Sequence, residues 1–186
     1  MNTTGYALEI VRELDRALSS VDSAECEKLA DLILGSGKIF CAGAGRSGFM
    51  MKSFAMRLMH MGFESYVAGE TVTPNIGPGG LLIIGSGSGE TGSLVSMAEK
   101  AKKLGAGLAL VTISPESPIG GLAGITIMIP APTPKSGAGT GFTSMQPMGS
   151  LFEQSLLLTL DAVILRLMEK QGVDAVSMFG RHANLE

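Results

Sequence analysis

The chain has no tryptophan, 5% aromatic residues and two cysteines among 186 residues. Without large rings its core must be built from Leu, Ile, Val, Ala and Met. Cys26 and Cys41 lack metal-ligand spacing, and a reducing cytosol keeps both as thiols. Cys41 closes an apolar run and reads as core packing. Charge is sparse as well: 14 basic and 17 acidic residues give a net −3, with no run of five like charges and none interleaved with aromatics. That excludes an electrostatic footprint for nucleic acid. The longest apolar stretch, Leu156 to Met168, is broken by Asp161 and Arg166. It falls short of the roughly 20 residues that cross a bilayer, so no membrane segment is predicted. Glu9, Glu13 and Asp15 sit in the first helical pattern, where a signal peptide would not tolerate them, and the expected location is the cytoplasm.

What is present is aliphatic. Hydrophobic residues make up 45% of the chain and mean hydropathy is +0.33. A chain of 186 residues suits one domain spanning 1–186. An apolar excess in so small a unit predicts burial between subunits. Apolar residues at helical spacing (Leu8, Val11, Leu14, Leu18; Leu29, Leu32, Leu34) predict helices over 5–19 and 24–34, the second capped by Ser23. Short apolar runs bounded by glycine predict buried parallel strands at Lys38 to Ala42, Leu81 to Ile84, Gly107 to Ile113 and Ile125 to Ile129, with a weaker one at Ser65 to Ala68. Helical patterns fall at Gly48 to Met61, Thr91 to Leu104 and Ser150 to Lys170. This alternation predicts an α/β fold, a parallel sheet between helices on both faces. Pro130 to Gly141 reads as an irregular, mobile loop.

Two of the strands run into glycine-rich turns that open helices: Gly43-Ala44-Gly45-Arg46-Ser47-Gly48 and Gly85-Ser86-Gly87-Ser88-Gly89-Glu90-Thr91. Glycine lets a backbone approach an anion, and the helix N-terminus offers free amides and partial positive charge. Hydroxyls of Ser47, Ser86, Ser88 and Thr91 add donors. As plain connections, the same turns would use Ser86, Ser88 and Thr91 as caps. As a dinucleotide site, Gly43, Gly45 and Gly48 fit G-x-G-x-x-G, with Glu70 as the ribose acid 22 residues beyond Gly48. Two such loops in one small chain favour a phosphate-bearing ligand, and the dinucleotide reading leaves the hydroxyl-rich loop without a purpose.

These loops, with a glutamate opening the last helix, resemble the sugar isomerase (SIS) domain. Ala42 to Gly48, Ser53 to His60, Gln146-Pro147-Met148-Gly149-Ser150-Leu151-Phe152-Glu153-Gln154 and His182-Ala183-Asn184-Leu185-Glu186 resemble, more narrowly, the 6-phospho-3-hexuloisomerase family. The resemblance implies a three-layer sandwich with a five-stranded parallel sheet, and a homotetramer. It also implies reversible conversion of D-arabino-hex-3-ulose 6-phosphate to fructose 6-phosphate in the ribulose monophosphate pathway of formaldehyde fixation. Carried over by residue, Ser47, Ser86, Ser88 and Thr91 match phosphate-binding positions. Gly87, Gly89 and Glu90 complete that loop, and Glu153 matches the catalytic base. The segment Lys135 to Ser144 matches no motif of the family.

Moving a carbonyl from C3 to C2 needs a base that takes the C2 proton, an enediol, and a proton returned to C3. Glu153, beside Leu151, Phe152 and Leu156, suits that task if partial burial raises its pKa. Ser150 to Glu153 is equally a capping box in which Glu153 would bond the Ser150 amide. His60 and His182 are the other candidates for proton transfer or carbonyl polarisation. His60 could instead be a packed residue, while His182 lies in a polar tail that by composition should fray but could dock into a neighbouring site. Arg46 could neutralise phosphate or enediolate charge, or form a surface ion pair. No His, Cys or carboxylate cluster has metal-site spacing, so catalysis without metal or cofactor is predicted. The alternatives are isomerisation of another phosphosugar, or a non-catalytic sugar-phosphate-binding protein.

Overall fold

The computed structural model describes residues 1–132 and 143–185 of the chain. Along it run α1 (Thr3–Leu18), α2 (Ser23–Leu34), β1 (Lys38–Gly43), α3 (Gly45–Met61), β2 (Glu64–Val67) and β3 (Leu81–Gly85). They are followed by α4 (Gly92–Lys103), β4 (Gly107–Thr112), β5 (Ile125–Met128), α5 (Ser150–Gln171) and α6 (Ala175–Phe179). The strands form one parallel sheet in the order β2-β1-β3-β4-β5. Growth of the sheet reverses between β1 and β3. In open α/β sheets the crevice at the carboxyl ends of such a pair is where ligands bind.

Side chains alternate across the strands with period two, so each strand feeds two cores. Ile39, Cys41, Leu81, Ile83, Ala109, Val111 and Ile127 pack under α2, α3 and α5. Phe40, Ala42, Leu82, Ile84, Leu108 and Leu110 face the other way, onto Leu94, Ala98 and Ala101 of α4 and onto Ile119. Burial of both faces explains why these strands read as continuous apolar runs. Gly62 and Gly172 end α3 and α5 in the left-handed region, at φ 96° and 66°.

Five strands and five helices lie where the periodicity places them, with three corrections. Helix α1 rests on α5 rather than on the sheet. It therefore buries Glu13 and Ala17, whereas Leu8 and Val11 of the expected apolar face stand exposed. Helix α2 is capped by Asp22, whose carboxylate accepts the Ala24 amide, rather than by Ser23. Beyond α5 the chain forms the short α6, which the polar tail composition did not suggest. Of the loop expected from Pro130 to Gly141 and of Lys135 to Ser144, residues 133–142 lie outside the described residues.

Candidate active site

The first glycine loop is a strand end pressed onto a helix start. A Cβ on Gly48 would stand 2.7 Å from the Gly43 carbonyl oxygen, so the first turn of α3 can approach β1 only as glycine. Gly45 turns the chain at φ 57°, and α3 begins there, three residues earlier than predicted. Its N-cap, Ala44, offers no side-chain cap, and Arg46 and Ser47 lie in its first turn.

The second loop is braced from the neighbouring strand. The Ser86 amide donates to Val111 O at 3.0 Å. Gly87 O accepts from the Ile113 amide at 3.0 Å and from Thr112 Oγ1 at 3.1 Å. Within the loop, Ser86 Oγ accepts the Gly89 amide and Ser88 Oγ accepts the Glu90 amide. Gly89, at φ 62°, lies so close to buried Ser117 that any Cβ would overlap its hydroxyl. Thr91 occupies the N-cap of α4, yet its side chain caps nothing. The cap reading thus fails for Thr91, while Ser86 and Ser88 hold the loop's own shape.

Helices α1, α2 and α6 are capped by Asn2, Asp22 and Asp174, whereas α3, α4 and α5 have no side-chain cap. First-turn amides without an internal partner are suited to an anion. All three uncapped N-termini follow the carboxyl edge of the sheet, directly or, for α5, through contact with the loops. A Cβ on Gly87 would touch the Phe152 ring at 3.3 Å, and one on Gly85 would meet Leu156 Cδ2 at 2.9 Å.

Glu153, one turn into α5, reaches the first loop. Its Oε2 stands 2.6 Å from Arg46 Nε, with the glutamate side chain 16% exposed and the arginine 59%. Oε2 is buried, and among the described residues no donor meets hydrogen-bond geometry to it, so the contact is an ion pair. The capping box does not form. Gly149 is the N-cap, Ser150 lies inside the helix, and the Ser150 amide donates to Pro147 O at 3.2 Å.

His60 and His182 meet each other but not Glu153. Their rings stack at 5.4 Å, and Phe179 of α6 extends the stack at 5.9 Å from His182. Arg57 Nη1 lies 3.3 Å from His60 Nδ1, and Arg181 Nη1 donates to His60 O at 3.2 Å, fastening the tail to the end of α3. Since arginine can only donate, Nδ1 accepts and the neutral ring carries its proton on Nε2. Burial, then the Arg57 charge and His182, push His60 below the ordinary imidazole value of 6.5. From Arg46 to His60, α3 rises roughly 21 Å at about 1.5 Å per residue. One chain therefore separates the histidines from the loops. Glu70, the ribose acid of the dinucleotide reading, is taken up by Lys52 at 2.7 Å.

Sequence reasoning passed over Thr112 and Ser117, which shape the second loop, and Glu13, which is buried on α1 and accepts three hydrogen bonds from the segment preceding α5. An acidic residue inside an otherwise apolar stripe was the available signal for Glu13. Burial works to raise its pKa, but bonds from Ser144, Gln146 and the Met145 amide outweigh it and hold the carboxyl below its usual range.

Residues 32–158 match the SIS domain model. The chain is 55% identical over 186 residues, all of both chains, to a Bacillus subtilis protein named 3-hexulose-6-phosphate isomerase. A Mycobacterium gastri protein of the same name is 45% identical over 180 residues, covering 96% of this chain and 89% of that one. The crystal structure of a Methanococcus jannaschii protein, for which the same function is inferred, superposes with a TM-score of 0.83 at 32% identity over the whole of both chains. The chain thus belongs to the SIS domain family, within it to the 3-hexulose-6-phosphate isomerases.

Proposed function

We propose that this chain interconverts D-arabino-hex-3-ulose 6-phosphate and fructose 6-phosphate, the second step of formaldehyde fixation through the ribulose monophosphate pathway. One observation carries the reading: Glu153 Oε2 is buried and ion-paired with Arg46 where α5 meets both glycine loops. A carboxylate sheltered where two anion-binding loops meet, with a cation beside it, is placed to act as a general base.

In this reading the open first turns of α3 and α4, with Ser47, Ser86, Ser88 and Thr91, hold the phosphate, and Gly87, Gly89 and Glu90 give the loop its backbone path. Glu153 takes the C2 proton. The electron pair of that C–H bond becomes the C2–C3 double bond, and the former C3 carbonyl oxygen takes the negative charge, which Arg46 offsets. A proton passes from O2 to O3, and Glu153 returns its proton to C3 as the carbonyl forms at C2.

The protein acts in the cytoplasm as a homotetramer, and a neighbouring subunit supplies His60 and His182 to each site. Support for association comes from apolar side chains left exposed on adjoining helices: Phe49 and Met56 on α3, Leu158 and Leu165 on α5. Among the described residues no helix is long and apolar enough to cross a membrane. The test is a coupled assay that follows fructose 6-phosphate formed from hex-3-ulose 6-phosphate. Turnover of a different phosphosugar instead would reassign the substrate. Binding of phosphosugars with turnover of none would make the chain a sensor.

A further inference from the structure

Three donors converge on one buried carboxylate far from them in sequence. Glu13 of α1, 3% exposed, accepts Ser144 Oγ at 2.6 Å, the Met145 amide at 2.8 Å and Gln146 Nε2 at 2.9 Å. Ser144 Oγ also accepts the Gln146 amide at 3.0 Å, so the segment is knotted around the one side chain. Every partner donates, and an ionised carboxylate is the side chain that only accepts. Two residues further on, Met148 is held at φ 55°, the left-handed region, with 80% of its surface exposed. A bulky residue keeps that conformation only where its surroundings impose it. Next come Gly149, the N-cap, and Glu153, whose partner Arg46 lines with Met145, Gln146, Pro147 and Gln154 a cavity of about 380 Å³ between α1 and α5.

We propose that Glu13 is a positioning residue: by clamping Ser144 to Gln146 onto α1 it fixes the start of α5, and so sets Glu153 against Arg46 at the mouth of the phosphate loops. It touches no reacting atom itself. The inference rests on the role proposed for Glu153. It distinguishes Glu13 from an ordinary buried acid, since α1 could pack on α5 through Leu14 and Ala17 without any contact to the segment ahead of α5.

The test separates positioning from folding. In Glu13→Gln the new amide must point an N–H at one of three donors. The clamp should loosen, with kcat reduced tenfold or more, while affinity for inorganic phosphate, held by loops that Glu13 does not touch, changes less than about twofold. Gln146→Glu in the same chain restores an acceptor opposite the new donor, and the pair should regain kcat to within about threefold. Because the chain has no tryptophan, Met145→Trp gives a single reporter. Acrylamide quenching of it should rise when Glu13→Gln is added and fall back with Gln146→Glu. Unchanged kcat in folded Glu13→Gln would overturn the proposal, as would a loss of kcat with unchanged quenching. Should the variant fail to fold, hydrogen exchange in the wild type decides. A protected Met145 amide supports the clamp, and one exchanging as freely as an exposed loop refutes it. If the wild type lacks isomerase activity, the role of Glu153 falls, while quenching and exchange still report on the clamp.

Discussion

The two ends of α3 carry different chemistry on the same helix. At its start, Gly45, Arg46 and Ser47 form an uncapped turn, and Arg46 pairs with the half-buried carboxylate of Glu153. At its end, His60 is packed among His182, Phe179, Arg57 and Arg181. The first end offers an uncapped turn beside a sheltered carboxylate, and the second packs an imidazole next to Arg57 and Arg181. The helix holds its own two ends roughly 21 Å apart, so His60 stays away from Glu153 of the same chain. The comparison teaches that a helix can keep the proposed base and the two histidines apart, so a site that used both would need a second chain.

The largest effect should come from the first end. Glu153→Gln keeps the shape of the side chain and, with no capping box to break, should leave melting temperature nearly unchanged. It cannot take the C2 proton, so kcat should fall roughly 10²-fold or more. Exchange of the substrate C2 proton with deuterated solvent should fall in step. A variant retaining more than half of wild-type turnover would remove Glu153 as the base and leave the histidine end to be tested for that role.

The division itself can be tested by complementation. Glu153→Gln and His182→Asn should each be poorly active alone. If a neighbour supplies the histidines, co-refolded mixtures contain sites with both groups intact, and activity should exceed the mean of the parents. Activity no better than that mean, in mixtures shown to exchange subunits, would mean that no neighbour supplies His182 to the site of Glu153.

How far each end could be read from sequence follows from how local its signals are. Gly43 to Gly48 and Gly85 to Thr91 announce themselves because glycine and hydroxyls at a strand-to-helix turn have few other uses. The strands were legible because both faces are buried. Helix α1 was misread because a 3.6-residue period marks a face without saying what lies against it: α5 covers Glu13 and Ala17 and leaves Leu8 and Val11 exposed. The capping box was a fair local reading of Ser150 and Glu153, and it failed because Arg46, over a hundred residues earlier, claims the carboxylate. Glu13 and the His60–His182 stack depend on contacts between distant segments, which no window of sequence contains.

A smaller effect separates the two loop serines. Ser88→Ala removes a partly exposed hydroxyl, and a lost hydrogen bond to the charged phosphate should cost roughly 1.5 to 3 kcal/mol of binding. Ser86→Ala should weaken binding similarly and also lower melting temperature, since its buried oxygen holds the Gly89 amide. Equal thermal shifts with unchanged phosphate affinity would make both serines braces of the loop and nothing more.

At the other end, His60 should titrate below 6.5, read from its C2–H resonance. The sign follows from linkage: the fold binds this proton less readily than the unfolded chain does. The stability contributed by neutral His60 is therefore present above about 6.5 and is lost as pH falls through the lower folded value. Removing His182 takes away one of the causes of the shift, so His182→Asn should move the midpoint upward. A midpoint at or above 6.5 in the wild type would mean that burial and Arg57 do not disfavour the charged ring.

The smallest effect concerns the backbone ahead of α5. Met148 holds φ 55° with its side chain in solvent, a conformation that disfavours a non-glycine residue by roughly 1 to 2 kcal/mol. Met148→Gly removes that strain but gives the unfolded chain more freedom, a loss of about 0.4 to 1 kcal/mol. The difference is a net gain of about 0 to 1.6 kcal/mol, which raises the melting temperature by no more than roughly 6 °C for a chain of this size. Turnover should stay at the wild-type level, because the clamp on Ser144 to Gln146 still sets the start of α5. If turnover drops instead while the fold gains stability, the strained turn itself aims Glu153. The start of α5 would then depend on two separate devices, the clamp on Ser144 to Gln146 and the turn at Met148.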